Sequence, residues 1–199
     1  MQRSLLTLAL GAALSLGAHA QNAATETARD TEQQARIEQG LQSGQLSTKE
    51  TGSLEHQEQR IDRTEARDLR NGSLSPQEKA QIQREQNHVS ADIYKDKHNA
   101  TTGNPDSLSS RRMQADVQRN VNQQARINQG IRSGQLTNKE AGSLERGQAH
   151  VDRAEGNAAA NGHVGAGEQA RIQGKENRQS TRIYDKKHNA RVRGEKAAS

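Results

Sequence analysis

Large apolar residues are sparse along this chain, and where they occur they recur four, seven or eight places apart, the period of one helix face. Leu54, Ile61 and Leu69 make one such stripe; Ile82, Val89 and Ile93 make another that spans only about 40° of a helical wheel. Stripes this narrow predict shallow packing. Between them runs a repeated stretch, Ser43 to Glu50, which returns in altered form at Asn71 to Glu78, Ser133 to Glu140 and Asn161 to Glu168. Its glycine permits a left-handed turn, and the Leu or Val two places on can tuck inward. The next Ser or Thr, replaced by Gly165 in the last copy, suits a helix cap to which the glutamate reaches back. Helices are thus predicted at 31–42, 48–69 and 76–98. Ser75-Pro76-Gln77-Glu78 opens the third with a cap, a proline at the first helical position and a capping-box glutamate.

Residues 33–100 align without a gap on residues 123–190, a constant shift of 90, with 34 of the 68 positions identical. A match of that length means two copies of one unit. A fainter shift of 28 inside each copy makes the elementary unit a helical hairpin. The expected fold is all-α: two tandem three-helix modules made of helical hairpins joined by Gly-containing capped turns. The expected divisions are a signal peptide at 1–20, a polar leader at 21–30, helical module 1 at 31–100, a linker at 101–110, helical module 2 at 111–190 and a polar tail at 191–199. Met113, Val117 and Val121 lead into Ile127 and Ile131, which predicts a longer first helix in the second module. That module also carries losses: Ala159 stands for Leu69, Gln179 for Val89, and Gly165-Ala166-Gly167 for Ser75-Pro76-Gln77. It is expected to be the less stable half.

Composition narrows the function classes. Arg3, the apolar run Leu5 to Leu16 and Ala18-His19-Ala20 read as a cleavable secretory signal, giving a mature chain from about Gln21 with no later transmembrane segment. Export to the periplasm, or secretion, is the expected localisation. The chain has no cysteine, which excludes disulfides, thiolate nucleophiles and cysteine-based metal sites. Beyond the signal only 25 of 179 residues are Ile, Leu, Val, Met or Tyr, with no Phe or Trp. Charge is mixed: the net of +5 becomes +4 when Arg3 leaves with the signal, and both signs are interleaved, the pattern of a solvated surface. Balanced charge and only two tyrosines argue against nucleic-acid binding.

No metalloprotease, nucleophile-elbow or phosphate-loop motif occurs, so no catalytic residue and no cofactor is expected and the chain reads as a non-enzyme. Carboxylate pairs such as Glu55 with Glu58 are expected on solvated helical faces. The repeated turn has an EF-hand-like cadence, with glycine at loop position six and Glu50, Glu78, Glu140 and Glu168 at twelve. Positions one and three are unsuited to calcium: Gln39, Arg67, Gln129 and Asn157, then Leu41, Leu69, Ile131 and Ala159. Capping is therefore the expected role of the four glutamates. A metal-binding role for them, or for His98 and His188, which follow Tyr94 and Tyr184 by four residues, is the alternative.

The stretches Ala35-Arg36-Ile37-Glu38-Gln39-Gly40, Leu46-Ser47-Thr48-Lys49-Glu50 and Ile93-Tyr94-Lys95-Asp96-Lys97-His98 resemble a group of small exported proteobacterial proteins with the same duplicated hairpin. That resemblance implies a periplasmic, helical protein and supplies no catalytic residues. Leu74-Ser75-Pro76-Gln77 is similar, more thinly, to the Leu-Thr-x-x-Gln mark of periplasmic helical chaperones and metal-stress sensors. The function expected from the sequence is a non-enzymatic periplasmic interaction or envelope-stress protein that contacts another envelope protein, or itself, through amphipathic helices. The alternative is a periplasmic protein binding calcium, zinc or copper, EF-hand-like or accessory to metal resistance.

Overall fold

In a computed structural model that describes residues 11–189, with side chains from residue 22, the chain forms six helices. They are α1 (Gly11–Ser43), α2 (Thr48–Asp68), α3 (Pro76–Lys97), α4 (Leu108–Arg132), α5 (Asn138–Ala159) and α6 (Ala166–Lys187). Residues 1–10 of the expected signal and the tail from residue 190 lie outside the described residues. The fold is all-α, and among the described residues no helix is long and apolar enough to cross a membrane.

Local chemistry sets the helix ends. Gly44, Gly72, Gly134 and Gly162 all have positive φ, between 74° and 91°, where a side chain would be strained. Leu46, Leu74, Leu136 and Val164, two residues later, are buried. Ser47, Ser75 and Thr137 then close full capping boxes with Glu50, Glu78 and Glu140.

Two boundaries differ from those expected. The stretch 21–30 lies within α1, and Ala23, Ala24, Glu26, Thr27 and Asp30 are buried. Its inward stripe is built of small and acidic side chains, so a search for large apolar residues passes over it. The linker is shorter, because Ser107 caps α4 at Leu108. Gly103 lies against the first turn and donates from its backbone N–H to the Gly44 carbonyl.

The copies do not sit side by side as separate beads. The most extensive contacts are between copies, α2 with α5 and α1 with α4, while α3 lies on α1 and α2, and α6 on α4 and α5. The α2 and α5 helices run antiparallel: Gly52 meets Ala159 at one end and Leu69 meets Gly142 at the other. The 90-residue shift exchanges these two contacts, so the copies are related by a pseudo-twofold axis. A β-carbon on Gly52 would lie 2.6 Å from that of Ala159, and one on Gly142 would lie 2.8 Å from that of Leu69. These glycines therefore let the two backbones approach closely. Ala159 is thus the small partner of a close contact. Gln179 likewise sits in room left by Gly147 and donates to the Leu144 carbonyl at 2.8 Å, where the first copy has Gln57 beside Val89.

Candidate functional site

The charge of the chain is sorted radially. Twelve of its 24 acidic residues are buried, whereas among the described residues no lysine or arginine is. Glu55, Glu58, Asp62 and Glu65 stand on one face of α2, three, seven and ten residues from the first, and all are at most 1% exposed. Glu145, Gln148, Asp152 and Glu155 repeat that spacing on α5. Asp30 and Gln34 face them from α1, and Asn120 and Gln124 from α4, each pair four residues apart. The expectation that Glu55 and Glu58 lie on a solvated face is corrected: that face is turned into the junction of the two copies.

At one end of this interior, Glu55, Asp152 and Glu155 each place an oxygen within 4.8 Å of the others. Amides hold the group in place. Gln34 Nε2 donates to Glu55 Oε2 at 3.0 Å, and Asn120 Nδ2 donates to Glu155 Oε2 at 2.6 Å and to Asp152 Oδ1 at 3.4 Å. Gln148 Nε2 supports Asn120 Oδ1 at 3.3 Å. After these bonds, Oε1 of Glu55, Oε1 of Glu155, the Gln34 carbonyl oxygen and both Glu58 oxygens remain without hydrogen-bond donors. Such groups are expensive to bury alone.

Cationic compensation lies at the rim. Arg119 meets Glu176 at 3.3 Å and Lys79 approaches Glu26 at 3.9 Å, but among the described residues no ion pair reaches Glu55, Asp152 or Glu155. Burial accordingly raises the Glu55 pKa to about 7 and lifts Asp152 and Glu155 well above the carboxylate range. Burial, together with the Asp30, Glu55 and Asp152 charges, does the same to Glu58. Glu55 and Glu155 are in carboxyl–carboxyl contact, as are Asp62 and Asp152. An interior of this kind holds either protons or cations. Its donors are all oxygen, the preference of hard ions such as calcium, manganese or magnesium.

The sequence-derived candidates lie elsewhere and do not converge. Glu50, Glu78, Glu140 and Glu168 accept from the backbone N–H of Ser47, Ser75, Thr137 and Gly165 at 2.9, 2.7, 3.0 and 2.8 Å. The second oxygens of Glu50 and Glu140 accept from Asn99 and Asn189, at 2.8 and 2.9 Å. Although partial burial opposes it, the bonds from Asn99, Ser47 and Thr101 hold the Glu50 carboxyl below its ordinary pKa. His98 and His188 end α3 and α6, stacked on Tyr94 and Tyr184 at 4.2 and 4.0 Å, with each Nδ1 bonded to the tyrosine carbonyl.

A sequence signal for the interior group did exist. Glu55, Asp62 and Glu65 recur unchanged as Glu145, Asp152 and Glu155, while exposed neighbours such as Arg60 and Arg67 become His150 and Asn157. No family model, curated protein or solved structure matches the chain.

Proposed function

We propose that this is an exported, periplasmic or secreted, non-enzymatic protein that binds a hard metal cation between its two copies. The observation carrying this reading is the trio Glu55, Asp152 and Glu155, fully buried, amide-braced and, among the described residues, without an ion pair to a cationic side chain. Three carboxylates suit a cation of charge two or three, and the Gln34 carbonyl and Glu58 provide further buried oxygen. The metal-binding alternative drawn from the sequence thus moves from the turn glutamates to the core. The interaction reading loses support because its apolar stripes are covered within the chain. Among the described residues, Tyr94, Leu108 and Tyr184 are the exposed large apolar side chains.

Calorimetric titration of chelator-treated protein at neutral pH tests the proposal. Calcium or manganese is expected to bind with a dissociation constant on the order of micromolar. Glu155→Gln should weaken binding at least tenfold. Affinity no better than millimolar for every ion, or an unchanged Glu155→Gln variant, would refute it.

A further inference from the structure

We infer that the groove between α5 and α6 binds a small phosphate-class oxyanion carrying two or more charges, held by His150, Lys175, Arg178 and Arg182. The groove lies between a different pair of elements from the buried carboxylates and has the opposite sign, so this inference stands or falls independently of the cation site.

Gly147, His150, Lys175, Arg178, Gln179 and Arg182 line the groove, and among the described residues no acidic side chain does. Its volume of about 270 Å³ is several times the roughly 30 Å³ that one water takes up in the liquid, enough for a diphosphate. The repeat supplies an internal comparison. At the same place the first copy has a groove lined by Arg60, Arg63, Glu85 and His88, and Asp92 meets His88 at 3.6 Å. The shift of 90 turns Glu85 into Lys175, His88 into Arg178 and Asp92 into Arg182, while Arg60 becomes His150. Acids that balance the first groove are thus replaced by cations in the second.

The local geometry holds one donor ready. Arg182 Nη2 donates to the Ser143 carbonyl at 3.0 Å and reaches its hydroxyl at 3.3 Å, which anchors the guanidinium across the groove. Its other terminal nitrogen, Nη1, stands over Gly147, where a β-carbon would lie 2.9 Å away. The first copy has Gln57 in place of Gly147, so the missing side chain opens the floor beneath this donor. Among the described residues Lys175 and Arg178 form no ion pair. Besides partial burial, the charges of Lys175, Arg63, Arg153 and Arg182 push the His150 pKa down, which shows how little anionic charge offsets them there. Guanidinium forks match the oxygen geometry of phosphate, and a single carboxylate would leave most of this charge unmatched.

The test is calorimetric titration of the mature chain with sodium pyrophosphate and with ADP, without added metal, at about pH 7.5. Pyrophosphate is expected to bind one to a chain with a dissociation constant on the order of 100 μM, and several-fold more weakly at about 0.3 M salt. Tighter binding of ADP would identify an esterified diphosphate as the source, and tighter binding of pyrophosphate the free anion. The paired change Lys175→Glu with Arg182→Asp installs residues that the fold already accommodates in the first copy, and should weaken binding at least about tenfold. Arg178→His, again the first copy's residue, should weaken it about fivefold or more. Lys186→Asp makes the same exchange outside the groove and should leave affinity within about twofold. In the wild type the depressed His150 pKa should rise when pyrophosphate binds, read by NMR from the histidine signal that His150→Gln removes. Circular dichroism melts check folding, and either groove variant decides the matter alone. Affinity no better than about 10 mM for both anions, groove variants that bind as the wild type does, or Lys186→Asp weakening binding as much as they do would overturn the inference.

Discussion

Removing metal and raising the pH should destabilise this protein across a range where most proteins are at their most stable. Burial raises Glu145 from an ordinary value of 4.5 to about 8 and Glu55 to about 7, while Asp30 reaches about 7 from 3.8. Between the unfolded and folded values the folded state keeps a proton that the unfolded state has released. The stabilisation is therefore complete below the unfolded value and is lost as pH climbs through the folded one. Each such group contributes about 1.4 kcal/mol per pH unit within its window. For Glu145 alone this amounts to roughly 5 kcal/mol, against a total stability on the order of 5–15 kcal/mol for a domain. Carboxyls in contact share protons, so the groups do not simply add. Even the single-group figure lowers the melting temperature by roughly 10–20 °C for a chain of this size. Thermal melts by far-UV circular dichroism from pH 5 to pH 8 in a chelator are the assay. A melting temperature that stays level or rises over that interval would refute the idea of a proton-filled apo interior. Calcium at about a hundred times its dissociation constant should return about 2.7 kcal/mol at pH 8.

Other outcomes follow from the packing. Gly52→Ala should destabilise by about 1–3 kcal/mol in urea despite the better helix propensity of alanine, because the new methyl meets the Ala159 β-carbon. Gly167→Ala, whose β-carbon enters open space, should leave stability unchanged or raise it by up to about 1 kcal/mol. A fragment of residues 21–103 should show no cooperative thermal transition as a monomer, since α1 and α2 would lack α4 and α5; a sharp transition in monomeric fragment by sedimentation and circular dichroism would contradict the packing described.

Features fixed by neighbours in sequence could be read from sequence. The positive-φ glycines, the inward Leu46 and Leu136 and the capping boxes at Ser47, Ser75 and Thr137 need only a few adjacent residues, and each forms as expected. Features set by distant chain were hidden. Ala159 and Gln179 look like decay of an ancestral stripe until Gly52 and Gly147 are seen opposite them. The carboxylates were hidden for a different reason. Glu55, Asp62 and Glu65 flank the apolar stripe of α2, and a charge there ordinarily meets water; here α1, α4 and α5 cover it.

Joining both copies in one polypeptide has an evolutionary consequence. Were the same bundle assembled from two identical short chains, every substitution would appear twice and both ends of its interior would stay chemically alike. Fusion lifts that constraint: aspartate can stand at position 30 while asparagine stands at 120, and glutamate at 58 while glutamine stands at 148. Each half is then free to drift on its own while still serving as the other's scaffold.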